Sequence, residues 1–224
     1  MSVAYLLLVL FGLLLLGVPV SIALGVSAIS ALFIFTSYNI VGSAEIMLNG
    51  LKPALMAIPM FILAGSLMSK GSSAQRIINF ATSLVGHLPG GLPISAILAC
   101  IIFAAVSGSS PATVIAVGSV MFLAIKNAGY PKSYAVGAIT SAGSLGILIP
   151  PSVVMIVYGV TAEVSIEKLF MAGIVPGLII GVMMMLYAYI GARRLGFQAT
   201  KPESLASRFK KFREAFWAYL WFLS

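Results

Sequence analysis

The sequence predicts an all-α integral membrane protein, and three observations support that fold class. Hydrophobic residues make up 61% of the 224 residues and charged residues only 8%, whereas a soluble domain carries about 25% charged residues. The long apolar runs lack the alternation with period two that marks outer-membrane strands, so they predict helices. Polar, turn-forming runs interrupt this apolar sequence at residues 107–113 and 146–152.

The net charge of +8 does not indicate a nucleic-acid partner, because the basic residues fall in four stretches between apolar runs. Such stretches are typical of cytoplasmic loops under the positive-inside rule. The predicted partner of the chain is therefore the lipid bilayer and not a nucleic acid. The basic residues concerned are Lys70, Arg76, Lys126, Lys132, Arg193, Arg194, Lys201, Arg208, Lys210, Lys211 and Arg213.

Residues 1–69 are predicted to form N-terminal transmembrane scaffold helices. The apolar runs 3–17 and 20–36 meet at Gly17-Val18-Pro19, so they form either two short spans or one long bent helix. Residues 37–50 are interpreted as an exterior loop or an interfacial helix. Residues 51–69 are predicted to be the next span.

Residues 70–93 are predicted to form a cytoplasmic arm. Apolar positions recur at roughly helical spacing between residues 77 and 85, with polar residues between them. This pattern is typical of an amphipathic helix lying at the membrane interface, although the frayed end of the preceding span would also fit. The run from His87 to Pro93 then breaks the chain.

Residues 94–126 are predicted to form a re-entrant helical hairpin around the first break. Its arms, 94–106 and 112–125, have about 13 residues each, or ~20 Å, which is short of the ~30 Å hydrocarbon core. Basic loops flank the pair on both sides. Both ends are therefore expected on the cytoplasmic side, with the tip near the middle of the membrane.

Residues 133–160 are predicted to cross the membrane once as a discontinuous helix that carries the second break, and 166–194 to return as a transmembrane helix. Residues 195–224 are predicted to be a basic cytoplasmic linker followed by an apolar run from Phe216. Eight apolar residues are too few to span a bilayer. This run is therefore either an interfacial segment or, as we expect, the start of a truncated span.

Each break brings two helix ends with opposite partial charges close together. Free carbonyls at a helix C-terminus, with Ser and Thr hydroxyls, suit a small cation, while free N–H groups at an N-terminus suit a carboxylate. The chain contains no Asp, and its five Glu lie outside the predicted spans or, in the case of Glu167, at the very start of one. Sodium is therefore a better candidate than a proton relay. One break alone would also fit a proline kink for packing, but two favour a binding site.

Several segments, in chain order, resemble the large membrane subunit of TRAP (tripartite ATP-independent periplasmic) transporters, and the likeness extends over residues 1–200. These segments are Gly17-Val18-Pro19-Val20, the run from Ile58 to Gly65, the run from Ser107 to Thr113, Gly129-Tyr130-Pro131 and the run from Gly146 to Ser152.

This resemblance implies a sodium-driven carrier of the elevator type in the bacterial inner membrane. Such carriers take C4-dicarboxylates, sialic acid or similar carboxylates from a periplasmic substrate-binding protein, and a small membrane subunit accompanies them. They contain two inverted repeats, each with a re-entrant hairpin and a discontinuous helix. The chain would be the first repeat of such a transporter, with the second repeat and its half of the substrate site missing.

The resemblance also implies a set of site residues, with Na⁺ as coupling ion and no other cofactor. The implied sodium ligands are the hydroxyls of Ser107 and Ser110 and the backbone carbonyls around Gly146, Ile149 and Pro150. For the carboxylate we expect the residues at the helix starts that follow the breaks, namely Ser109, Pro111, Thr113, Pro151 and Ser152.

Three other functions compete with this interpretation. A channel built from half-helices would need a polar pore lining, and its uptake would not respond to a sodium gradient. A membrane-embedded enzyme would need a nucleophile, an acid/base pair or a metal cluster, and the sequence offers none at useful spacing. A purely structural membrane subunit would use the breaks only for assembly.

Overall fold

The computed structural model describes residues 2–35, 53–70, 72–197, 199 and 202–223, and the regular elements in this part are helices. The prediction of an all-α fold is confirmed, while the segment 37–50 lies outside the described residues. The helices are α1 (Ser2–Leu15), α2 (Val20–Phe35), α3 (Pro53–Lys70), α4 (Ser73–Val85), α5 (Gly91–Ser107), α6 (Ser110–Asn127), α7 (Lys132–Gly143), α8 (Leu145–Leu148), α9 (Val153–Thr161), α10 (Ile166–Arg194) and α11 (Leu205–Leu223).

Helices α1 and α2 belong to one compact unit, and α3 from Ala54 onward belongs with the rest of the chain to a second. In the first unit α1 ends in a Schellman motif, where Val18 N–H donates to Leu13 O and Gly17 N–H donates to Leu14 O. Gly17 has φ +77°, which favours glycine. The rings of Tyr5 and Phe35 meet edge to face at 5.5 Å. The described part of this apolar run, residues 3–35, therefore forms two antiparallel helices and not one long bent helix.

Helix α5 lies at the centre of the second unit and contacts α4, α6, α7, α8 and α10. Its side chains Ile97, Cys100 and Phe103 are fully buried. Within the described residues α6 and α10 are each long and apolar enough to cross a membrane, and counting two bent helix pairs as spans raises that number to four.

The prediction of arms of about 13 residues around the first break is wrong, because α5 has 17 residues and α6 has 18. Pro93 does not stop α5, since proline is tolerated in a first helical turn. Helix α6 continues through Lys126 and Asn127. At 1.5 Å per residue α6 is ~27 Å long and is long enough to cross a membrane, whereas α5 remains a shorter apolar helix.

The second break is shorter than the sequence predicts. Gly146 lies inside the short helix α8, and the non-helical segment comprises residues 149–152 with a cis peptide between Pro150 and Pro151. The expectation that Pro151 lies at the start of the next helix is wrong. Instead Ser152 is the N-cap of α9, and its Oγ accepts a hydrogen bond from Met155 N–H at 3.4 Å. The helical segments before and after the break, Lys132–Leu148 and Val153–Thr161, are bent by 41° relative to each other.

Helix α10 supports the second break through glycines spaced four residues apart. Gly173, Gly177 and Gly181 are all buried, as expected where small residues let helices approach closely. A Cβ at Gly173 would lie 2.7 Å from Leu148 O, and one at Gly177 would lie 3.1 Å from Ile149 Cγ1. The backbone of α10 therefore contacts the end of α8 directly.

Helix α11 joins two segments that the sequence divides. The basic stretch after residue 201 and the apolar run from Phe216 form one continuous helix, Leu205–Leu223, instead of a linker followed by a separate run. This helix packs on α4, where the rings of Phe80 and Phe212 lie 5.4 Å apart. The rings of Phe212 and Phe216, four residues apart, lie 5.9 Å from each other, so one helical face continues across the predicted boundary.

Candidate functional site at the two helix breaks

The first break takes the chain from α5 to α6 in two residues. Gly108 follows the last residue of α5 with φ +57°, and its N–H donates to Ala104 O. Ser109 is extended, with φ −136° and ψ 124°, and precedes the first turn of α6. Pro111 lies in that turn, where its missing N–H costs nothing. Thus a left-handed residue and an extended residue together create two helix ends at one point.

Hydroxyl groups connect the two sides of this break. Ser107 and Thr113 are both 0% exposed, and their Oγ and Oγ1 atoms lie 2.9 Å apart. Thr113 Oγ1–H donates to Ser109 O at 2.9 Å. Ser107 Oγ also lies 3.4 Å from Ser109 O, so either hydroxyl can donate in the bond between Ser107 and Thr113. A buried network with every proton used fixes the orientation of the Ser107 oxygen.

The two breaks meet through backbone atoms although about forty residues separate them in sequence. Val153 N–H, at the start of α9, donates to Gly108 O at 3.1 Å. A Cβ at Gly108 would lie only 2.5 Å from Pro151 O, and a Cβ at Gly146 would lie 3.0 Å from Ser109 O and Ser110 N. Glycine is therefore required at residue 108, whereas a Cβ at residue 146 would push the Ser109–Ser110 peptide back by a few tenths of an ångström.

The structure brings most of the predicted site residues together. Ser107, Ser109, Ser110 and Thr113 form the first break and the first turn of α6, and Gly146 packs against the Ser109–Ser110 peptide. Pro151 lies beside Gly108, and Ser152 is fully buried.

The other predicted residues are placed differently. Ile149 packs against Gly177 of α10. Pro150 is joined to Pro151 by the cis peptide, and Pro111 is exposed at the start of α6. Direct contacts to the first break thus involve Gly146, Pro151 and Val153 of the second segment.

Sequence reasoning missed the contribution of α3. A cavity of about 430 Å³ adjoins Ser107 and Ser109. Its other walls come from α3 and α6, through Ile62, Ser66, Ser69, Ala112 and Ile115. Nearby, a Cβ at Gly65 would lie 3.0 Å from Ser107 Cβ. Two serines three residues apart in an apolar helix were the available signal.

A larger cavity of about 550 Å³ lies between α5, α7 and α10. Its lining includes Tyr134, whose hydroxyl donates to Ala188 O at 2.6 Å, and none of the predicted site residues. Across the described part of the chain, His, Cys, Asp and Glu form no group of three that could hold a metal ion.

Comparison with known families agrees with this architecture. Residues 7–224 match the family described as the tripartite ATP-independent periplasmic transporter, DctM component. The chain belongs to this TRAP transporter family. Members are transport proteins of the bacterial inner membrane and not enzymes, so the resemblance, the membrane location and the non-enzymatic class inferred from the sequence are confirmed.

Three relatives illustrate the match. The C4-dicarboxylate TRAP transporter large permease protein DctM of Rhodobacter capsulatus is 44% identical, over 95% of this chain and 53% of the relative. The protein of the same name from Vibrio cholerae is 42% identical, over 98% and 49%. The ectoine TRAP transporter large permease protein TeaC of Halomonas elongata is 42% identical, over 92% and 49%. The chain spans about half the length of these curated relatives.

Proposed function

We propose that the chain is the first repeat of a large TRAP permease subunit that carries a small organic acid across the inner membrane by sodium-driven transport. Its partners would be a small membrane subunit and a periplasmic substrate-binding protein. The hydrogen bond from Val153 N–H to Gly108 O supports this proposal most directly, because it joins two helix breaks into one polar centre. A C4-dicarboxylate or a sialic-acid-like carboxylate is the proposed substrate, and two of the relatives above are named for C4-dicarboxylates.

In this proposal α5 and α6 form a re-entrant hairpin, and α7 to α9 form a discontinuous transmembrane helix. The backbone contacts between Gly108 and Pro151 and between Gly146 and Ser109 would make these elements move as one body in an elevator mechanism. Helices α1 to α3 would be the scaffold and α4 the cytoplasmic arm. The close contact of Gly65 with Ser107 would place the boundary between scaffold and moving body beside the first break.

Sodium would bind between the breaks through neutral oxygen atoms. We assign it to the hydroxyls of Ser107 and Ser110 and to the carbonyls of Gly146, Ile149 and Pro150. The short contacts around Ser107 support this assignment, since the network holds its oxygen in place. A cation requires such oxygen ligands at short range, and bound water can complete its coordination.

The substrate carboxylate would bind at the helix starts, where free N–H groups carry partial positive charge. Ser109, Pro111, Pro151 and Ser152 are the proposed residues. Thr113 has a different part, because it is fully buried and its hydroxyl bonds both Ser107 and Ser109. We propose that Thr113 positions the sodium ligand and does not touch the substrate.

Replacing Ser107 by Ala is expected to weaken sodium binding at least tenfold, equivalent to about 1.4 kcal/mol, since a buried ligand and its hydrogen bonds are lost. The measurement is the sodium-dependent thermal shift of the complete transporter, repeated for Ser110→Ala. Ser119→Ala is the matched control. Like Ser110, Ser119 lies on α6, but its hydroxyl donates to Ala116 O within the same helix.

Unchanged sodium affinity in both Ser107→Ala and Ser110→Ala would refute the sodium site. Substrate uptake into vesicles with the binding protein tests the transport proposal separately. Uptake that ignores the sodium gradient would favour a channel, and assembly defects without any change in ion affinity would favour a structural subunit.

A further inference from the structure

The cavity beside the first break lies against α3, and serine side chains form the polar part of an otherwise apolar lining. Its volume of about 430 Å³ is enough for roughly a dozen water molecules at about 30 Å³ each. Ser66 and Ser69 line it from α3, and Ser107 and Ser109 line it from the first break. The cavity therefore adjoins the hydroxyl network that joins α5 to α6.

The two α3 serines present hydrogen-bond acceptors to this cavity. Ser66 Oγ–H donates to Ile62 O and Ser69 Oγ–H donates to Ser66 O, both at 2.8 Å. Because each hydroxyl proton is used within the helix, the remaining lone pairs are available to a ligand. Serines bonded in this way often serve helix packing, but a packing serine is covered by its neighbour, whereas Ser66 is exposed.

The chemistry of the walls favours a cation over an anion. The seven residues that line the cavity, Ile62, Ser66, Ser69, Ser107, Ser109, Ala112 and Ile115, are all uncharged. Neutral oxygen acceptors stabilise a hydrated monovalent cation. A carboxylate would find neither a cationic side chain among these seven residues nor a free hydroxyl proton on Ser66 or Ser69, since both protons are used within α3.

We propose that this cavity is a hydrated passage by which a monovalent cation reaches the first break, with Ser66 and Ser69 as its α3 wall. The inference rests on the proposed sodium site at Ser107 and adds the path to it. In this proposal α3 does more than support the fold, because its two serines contact water and the cation and not a packed neighbour.

Thiol accessibility tests the passage in the complete transporter reconstituted in liposomes. Ser66→Cys and Ser69→Cys are treated with a cationic, membrane-impermeant methanethiosulfonate reagent, and modification is followed by mass spectrometry. Leu67→Cys is the matched control, because Leu67 is 58% exposed on the same helix but is not among the cavity residues. The native Cys100 is buried, so the unmodified chain provides the background.

We expect both cavity cysteines to react at least tenfold faster than Leu67→Cys, and to react severalfold more slowly in sodium chloride than in choline chloride. A negatively charged reagent of the same size is expected to react more slowly than the cationic one. Reaction no faster than in Leu67→Cys would overturn the passage, and equal rates in sodium and choline would overturn its assignment to the cation. Sodium binding to the unmodified transporter is measured in parallel, so failure of the proposed site is recognised independently.

Discussion

A Gly108→Ala variant of the complete transporter is expected to lose about 3 kcal/mol of stability and to unfold at a correspondingly lower temperature. Gly108 has φ +57°, and a residue with a Cβ in this region costs about 1–3 kcal/mol. The new methyl group would also lie 2.5 Å from Pro151 O. Because that atom belongs to the backbone, relief requires the two breaks to separate.

Separation would also remove the hydrogen bond from Val153 N–H to Gly108 O, and with it the proposed sodium site. Gly108→Ala should therefore lose the sodium-dependent thermal shift as well as stability. Thermal unfolding in detergent, with and without sodium, measures both effects.

Gly137→Ala is the control for this substitution. Gly137 lies in α7 with nothing within 4 Å of a Cβ, so alanine there is expected to leave stability unchanged or raise it by up to about 1 kcal/mol through helix propensity. If Gly108→Ala were as stable as Gly137→Ala, the inferred close contact between Gly108 and the Pro151 backbone would be refuted.

The sequence located both breaks because their signals are local. Serine, glycine and proline in an apolar run interrupt a helix whatever surrounds them. The exact helix ends were harder to predict, since Pro93 could begin a helix and Gly146 could remain within one. Turn-forming residues show that a helix stops nearby, but capping and packing decide the last helical residue.

The contacts between the breaks could not be predicted from local patterns. Gly108 and Gly146 are ordinary turn and helix glycines in the sequence, and only the fold shows that each faces another backbone. The glycines Gly173, Gly177 and Gly181 have a spacing that predicts a close helix contact. Their partner, the end of α8, depends on how the second break bends.

A Thr113→Val variant is expected to destabilise the transporter by about 1–3 kcal/mol, the cost of leaving buried polar groups unpaired. Valine has nearly the same shape as threonine, so the change removes the hydroxyl without leaving a cavity. Ser107 Oγ would lose its shortest contact, at 2.9 Å, and keep only the 3.4 Å contacts with Ser109. Ser109 O would lose the Thr113 hydroxyl bond at 2.9 Å. Sodium affinity should fall at least tenfold, because the orientation of Ser107 is no longer fixed.

Thr161→Val is a closely matched control for this change. Thr161 also donates its hydroxyl proton to the carbonyl four residues earlier, at 2.8 Å, but it is exposed. Water can replace the lost bond there, and stability should change by no more than about 0.5 kcal/mol. Comparable losses in the two variants would mean that burial of the Thr113 network has no energetic consequence.

Thr113→Ser separates positioning from packing. Serine keeps the hydroxyl that bonds Ser107 and Ser109 but removes the methyl group, so stability should fall by about 1 kcal/mol while sodium affinity is retained. Thr113→Val keeps the methyl packing but removes the hydroxyl, so this variant should bind sodium weakly. If Thr113→Ser lost sodium affinity as severely as Thr113→Val, tight packing around residue 113, and not its hydroxyl, would hold Ser107 in place.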